Sequence, residues 1–259
     1  MPHCAEISIS IVSHKQAELI KELLRDLQAH CDTPIEVILT LNVPEMLPFD
    51  PSEFGFPVEL IKNDCAKGFA ANHNAAFRVA RADNFCVMNP DVRLAKDPFP
   101  ALLELMSNPK IGVVAPLIVN PAGNIEDSAR KFPTPLSLLR KALLGRPTSD
   151  YPIEGAPSFP DWIAGMFMMF RADTFRMIGG FDEGYFLYYE DVDLCWRLRR
   201  QGYDVALLPM VRVTHAAQRA SHRDLRHLGW HVSSMLRFFV KRGLEYLRLV
   251  SAKRQQGRH

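Results

Sequence analysis

Three carboxylates, Glu190, Asp191 and Asp193, follow the aromatic run Phe181, Tyr185, Phe186, Tyr188 and Tyr189 within residues 162–203, WIAGMFMMFRADTFRMIGGFDEGYFLYYEDVDLCWRLRRQGY. A fixed, ionised carboxylate can serve as a general base, and flat aromatic faces beside it suit a sugar ring. Leu194, Cys195 and Leu198 recur at three- and four-residue spacing and Gly202 stands at a stop position, so the spacing predicts a helix from Glu190. Asp191 falls on the apolar stripe of that helix and at its N-terminus, where the macrodipole favours an anion. Asp193 is rotated by about 200° from it and meets Arg197 four residues on, which reads as a solvated ion pair. Asp191 is the expected base, and an ordinary N-cap is the alternative.

A second candidate is Asn89-Pro90-Asp91, which follows the apolar run of residues 85–88. A carboxylate at a strand end can hold magnesium or manganese against a diphosphate and offset charge on a departing nucleotide. The same tripeptide is also a common turn sequence.

These residues need a scaffold, and the pattern supplies one. Ile7, Ile9 and Ile11 alternate with Ser8 and Ser10, and Leu19, Ile20, Leu23, Leu24 and Leu27 then mark an amphipathic helix. Strands are expected at 37–41, 58–61 and 85–88, with an alanine-rich helix at 72–82 between the last two. The rhythm predicts an α/β fold, a mostly parallel Rossmann-like sheet flanked by helices, with ligands at the carboxyl ends of its strands. Residues 120–160 break it with seven prolines, Arg130 and Lys131, and read either as a mobile lid or as an irregular connection. Regularity returns with a strand at 165–170, a helix from Asp173 stopped by Gly179 and Gly180, and a strand at 205–208. Residues 224–254 are expected to be helical, with Leu228, Val232, Met235 and Phe239 on one stripe. This segment either closes the core or lies on an anionic membrane surface with Trp230, Phe238 and Phe239 near the headgroups. The division expected is a catalytic domain at 1–222 and a basic amphipathic tail at 223–259.

With 259 residues, 47% apolar and 23% charged, and a net charge of +2, the composition allows one sizeable core and gives no sign of nucleic-acid binding. The five cysteines lack zinc-ligand spacing and suit a reducing cytoplasm. No basic-then-apolar leader is visible, so secretion is not indicated. No apolar run approaches the roughly 20 residues of a membrane span, so any membrane contact would be peripheral.

Taken together, ISISIVSHK, NDCAKGFAANHNAA at 63–76, MNPDV at 88–92 and the 162–203 block resemble a family 2 glycosyltransferase over nearly all of residues 5–220. RKFPTPLSLLRKALLG, after Ala129, is most similar to bacterial rhamnosyltransferases of polysaccharide and O-antigen assembly. The resemblance implies a GT-A fold, a nucleotide-sugar donor and transfer with inversion. It makes Asp191 the catalytic base and Asp91 the last acid of an Asp-x-Asp-like metal motif, with Asn89 in the first acid's place. His215 falls where members place a histidine completing the Mg2+ or Mn2+ site. Ser13, Asn42, Asp64, Gly68, Phe69, Asn72 and Asn74 fall on the donor side, and Trp162, Gly165, Tyr188, Tyr189 and Glu190 on the acceptor side. Where members carry Asp-Asn after the second strand, this chain reads Leu41-Asn42. Either backbone groups and neighbours such as Asp64 hold the nucleobase, or donor choice is unusual, or donor binding is lost.

The resemblance suggests dTDP-rhamnose as donor, a UDP-sugar next, and a saccharide or lipid-linked saccharide as acceptor at the cytoplasmic membrane face. A nucleotidyltransferase is a rival, though Ser13-His14-Lys15-Gln16 lacks the glycines of a phosphate loop. A non-catalytic glycan-binding or scaffold protein is another.

Overall fold

The computed structural model describes residues 5–144, 151, 155–216 and 225–256. An eight-stranded sheet carries the order β3-β2-β1-β4-β9-β6-β10-β5. Its first half is β1 (Ile7–Ser13), β2 (Ile35–Leu41), β3 (Val58–Lys62) and β4 (Asn84–Met88), all parallel. The second half adds β5 (Val92–Arg93), β6 (Ile111–Val119), β9 (Phe167–Arg171) and β10 (Asp204–His215). β6 and β10 are parallel, whereas β9 and β5 run against their neighbours. A short ribbon of β7 (Ala129–Arg130) and β8 (Trp162–Ile163) lies apart from the sheet.

The helices are α1 (Ala17–His30), α2 (Phe69–Val79), α3 (Phe99–Met106), α4 (Pro135–Leu144), α5 (Ala172–Met177), α6 (Glu190–Arg200) and α7 (Leu225–Gln256). α1 seats Ile20, Leu23, Leu24 and Leu27 in the core, each contributing about 1.5–3 kcal/mol by burial. Because helices cover both faces, the polar half of β1 is buried too. Ser8 therefore donates to Glu36 at 2.6 Å, and Ser10 pairs with Nδ1 of His73 at 2.8 Å. Burial lowers the His73 pKa to about 3, so its ring is neutral.

The topology sends the ends of β1, β2, β4, β6 and β10 and the start of β9 to one edge. The described residues of the proline-rich stretch are not formless: after β6, residues 120–128 turn back, Ile125 bridges Val119, and β7, α4 and β8 follow. The expected domain boundary at 222/223 lies outside the described residues.

Candidate active site

Asp191 sits in the first turn of α6, and its two oxygens have separate backbone partners. Oδ2 accepts from the N–H of Gly165 at 3.0 Å, and Oδ1 from that of Val192 at 2.8 Å. Burial raises its pKa above the usual aspartate value, while these two N–H groups and the charge of Arg130 pull it partly back. Glu190 is buried, one of its oxygens lacks a hydrogen-bond partner, and burial, then the charge of Asp191, pushes its pKa well up. A Cβ on Gly165 would lie 3.1 Å from the Phe69 ring and 3.8 Å from Asp191 Oδ2, so the bare glycine leaves space between ring and carboxylate. Arg130 pairs with Trp162 in the ribbon, and its guanidinium lies 5.5 Å from the indole centroid.

The chain enters α6 through Tyr188 and Tyr189 at φ 71° and 68°, two consecutive left-handed residues with side chains. Such a conformation costs about 1–3 kcal/mol per residue and persists only where its surroundings impose it. α7 supplies them: Ser234 donates to the Leu187 carbonyl at 2.9 Å, Tyr188 Oη pairs with His227 Nδ1 at 2.9 Å, and Trp230 packs at a tilt against Phe186.

Asp193 is not the solvated partner its spacing suggests. It is 1% exposed and takes Arg197 at 2.7 Å on one oxygen and Lys241 at 2.7 Å on the other, because α7 covers that side of α6. Lys241 also reaches Asp182 at 2.8 Å, joined there by Arg237. Against its own burial, this cationic company holds the Asp182 pKa down at about 2. The packed stripe of α7 contains Ser234 and Phe238, and Leu228 and Val232 are exposed. The apolar stripe expected to pack is thus only partly the one that does: Met235 and Phe239 touch the core, and Phe238 is fully buried, not available to headgroups.

On the opposite side, Asn42, Asn63 and Asn72 form a buried amide cluster. Asn63 donates to both Asn42 and Asn72, while Asn42 holds the N–H and C=O of Lys67 at 2.8 and 2.9 Å. These amides fix residues 63–68 and the Gly68 entry to α2. Gly68 is needed for space, since a Cβ there would stand 2.5 Å from the Phe186 carbonyl oxygen, which accepts from Phe69 N–H. Asn74 binds the backbone of Phe181 through both ends of its amide. Ser13 is buried and accepts from Gln16 N–H, and Asp64 is exposed. A cavity of about 440 Å3 lies beyond Leu41, lined by Leu47, Phe49, Leu60 and Lys62 among others.

The Asn89 N–H donates to the Met166 carbonyl, one residue from Gly165, which ties the Asn-Pro-Asp turn to the Asp191 side. Antiparallel pairing of Val92 with His215 then sets Asp91 against the end of β10. His215 Nε2 lies 3.2 Å from Asp91 Oδ1, and Nδ1 lies 2.9 Å from Glu126 Oε2. Burial alone would lower the His215 pKa, but the two carboxylates outweigh it and raise it.

The sequence model of glycosyl transferase family 2 matches residues 8–174. The chain belongs to this family. A second match, described as the N-terminal domain of galactosyltransferase, covers residues 156–223 and so includes the Asp191 helix. This glycosyltransferase is 29% identical over 252 residues to rhamnosyltransferase WbbL of Escherichia coli K12, covering 91% of this chain and 93% of that protein. It is 35% identical over 167 residues to the N-acetylglucosaminyl-diphospho-decaprenol L-rhamnosyltransferase of Mycobacterium tuberculosis, covering 60% of this chain and 54% of that one. GalNAc-T7, solved with UDP, GalNAc and Mn2+, superposes with a TM-score of 0.62 at 17% identity, over 84% of this chain and 45% of its own. The mannosyltransferase PcManGT of Pyrobaculum calidifontis, solved with GDP-Man and Mn2+, gives 0.61 at 18%, over 91% and 65%. The fold is GT-A.

The glycosyltransferase has donor atoms that fit a divalent cation. Asp91 Oδ1 is buried with no hydrogen-bond partner and faces the Nε2 of His215. A hard carboxylate oxygen beside an imidazole nitrogen suits Mn2+ or Mg2+, which commonly take one or two protein ligands and fill the rest with phosphate oxygens and water. Among the described residues no group of three or more His, Cys, Asp or Glu could hold a metal ion, so the protein offers a partial set. Glu126, His227, Trp230, Ser234 and Lys241 were not legible as site-supporting residues. The i, i+4 pair His227 and His231 flanking Trp230 was the one available signal.

Proposed function

We propose that this enzyme transfers rhamnose from dTDP-rhamnose, with inversion, to a hydroxyl of a lipid-linked saccharide at the cytoplasmic face of a membrane. The observation that carries the chemistry is Asp191, held by two backbone N–H groups at the open side of Gly165 and Phe69. In this reading Asp191 takes the proton of the acceptor hydroxyl as its oxygen attacks the anomeric carbon from the face opposite the nucleotide. Glu190, Trp162, Tyr188 and Tyr189 line the acceptor side, and residues 63–69 shape the donor side. Asp91 and His215 would hold the divalent cation, which supplies positive charge against the departing diphosphate. Arg130 adds a fixed positive charge on the Asp191 side.

The choice of sugar is supported by the two rhamnosyltransferase relatives, and the diphospho-lipid acceptor by the name of the mycobacterial one. No helix among the described residues is long and apolar enough to cross a membrane. Support for peripheral contact comes from α7, whose outward side carries exposed Leu225, Leu228, Val232, Leu236, Val240 and Leu244.

The test is incubation of the purified enzyme with radiolabelled dTDP-rhamnose, UDP-hexoses or GDP-mannose and a diphospho-lipid-linked N-acetylglucosamine, with and without Mn2+. Metal-dependent transfer of rhamnose with release of dTDP is expected. Transfer of another sugar in preference overturns the donor assignment, and metal-independent transfer overturns the role of Asp91 and His215.

A further inference from the structure

We infer that Glu126 is a positioning residue for His215, fixing its ring orientation and tautomer so that Nε2 is presented beside Asp91. This rests on the cation reading above. An imidazole meets a cation with one nitrogen, and the partner of the other nitrogen decides which one is free to do so. Here Nδ1 is engaged by Glu126 at 2.9 Å, while Nε2 lies 3.2 Å from Asp91 Oδ1. Glu126 touches only the far nitrogen, so it supports a ligand and is not one.

Each group stands on backbone that is itself fixed. The Glu126 N–H donates to the Ile118 carbonyl at 2.9 Å, and its carbonyl accepts from Ser128 at 2.8 Å. Upstream, Asn120 closes the turn by accepting from the N–H groups of Ala122 and Asn124 through its side chain. His215 is pinned by its pairing with Val92, and Ala216 N–H donates to the Asp91 carbonyl at 2.9 Å. The neighbouring Asp127 pairs with Arg130, which leaves Glu126 to the histidine. With the His215 side chain 12% exposed and that of Glu126 27%, the pair is more enclosed than a solvent-exposed surface contact.

The experiment is calorimetric titration of Mn2+ into the whole protein in the presence of dTDP, for wild type, Glu126→Ala, Glu126→Gln, His215→Ala and the Glu126→Ala/His215→Ala pair, with melting temperatures measured alongside. Glu126→Ala is expected to weaken Mn2+ binding by about 10–100-fold at an unchanged melting temperature. Glu126→Gln should lie between it and wild type, because its amide oxygen still accepts from Nδ1–H. On the His215→Ala background, Glu126→Ala should add no further loss. Wild-type affinity in Glu126→Ala, or additive losses in the double variant, would overturn the role of Glu126 and leave the cation reading standing. Wild-type affinity in His215→Ala would overturn both.

Discussion

At the scale of single residues, the decisive contrast is between two aspartates two positions apart. Asp193 is buried and neutralised by Arg197 and Lys241, whereas half-buried Asp191 accepts from two backbone N–H groups and has Arg130 as a more remote charge. Asp191 keeps the proton affinity a base needs, since burial raises its pKa. As the proposed base, Asp191 must be ionised to work, so kcat/KM should fall as pH drops, with a midpoint above the roughly 3.9 of a free aspartate. Arg130→Ala removes a charge that lowers this pKa and should move the midpoint further up; a pH profile that stays put in that variant contradicts the electrostatic assignment. Asp191→Asn should cost about 10²–10⁴ in kcat while nucleotide-sugar affinity holds. The same variant should lose the fall in stability that wild type shows as pH rises past the usual aspartate range. A carboxyl whose folded pKa is raised binds protons more tightly when folded, so its ionisation opposes folding as pH rises above the unfolded value. The pairing of Asp193 with Arg197 could be read from spacing alone. The burial of Asp193 could not, because the residues that cover it come from α7, some 50 positions downstream.

Elements make the site by contact between loops that are distant in sequence. The turn before α2 and the aromatic loop meet where Phe69 N–H donates to the Phe186 carbonyl, beside Gly68. Gly68→Ala would push a methyl into that backbone, at 2.5 Å from the oxygen and 2.8 Å from the Phe186 Cα. Overpacking of this kind costs about 1–3 kcal/mol, and urea melts together with dTDP binding should show both stability and donor affinity falling. The clamp between α7 and α6 has its own test. Lys241→Met removes two charged hydrogen bonds, to Asp182 and Asp193, and should cost about 1.5–3 kcal/mol. Since the Asp182 pKa is depressed to about 2, its stabilisation is complete above the ordinary carboxylate range and is lost as pH falls toward that value. The acid side of the stability curve should therefore flatten in Lys241→Met; an unchanged acid slope would show that the clamp is not electrostatic. Most elements were visible as apolar periodicity. β6 escaped because both its faces are buried and IGVVAPLIV carries no alternation, only a continuous apolar run holding a proline. β10 was seen only as its first few residues, because the shift in register between Leu208 and Arg212 breaks the pattern that would have carried it to His215.

For the molecule as a whole, α7 decides how much of the basic tail is free for a membrane. Residues 225–256 hold seven Lys and Arg against one acid, Glu245, which in sequence reads as attraction to anionic lipid. The fold spends part of that charge internally: Arg237 and Lys241 pair with Asp182, and Arg242 lies 3.8 Å from the Trp196 ring centroid. The exposed side chains include an apolar series, Leu225, Leu228, Val232, Leu236, Val240 and Leu244, recurring every three or four residues beside Arg226, His231, Ser233 and Arg237. Membrane contact should therefore depend more on these side chains than on salt. A triple variant, Leu228→Ser, Val232→Ser and Leu236→Ser, would forfeit about 1 kcal/mol for each partly inserted side chain, on the order of 100-fold in partitioning. Co-sedimentation with phosphatidylglycerol vesicles should show that loss, with the melting temperature retained and transfer to a water-soluble acceptor unaffected. Because the substituted positions lie on the side of α7 away from Tyr188 and Asp193, a fall in soluble-acceptor turnover would mean that this face belongs to the catalytic unit instead. Equal vesicle binding by variant and wild type would leave the acceptor to be met away from the bilayer.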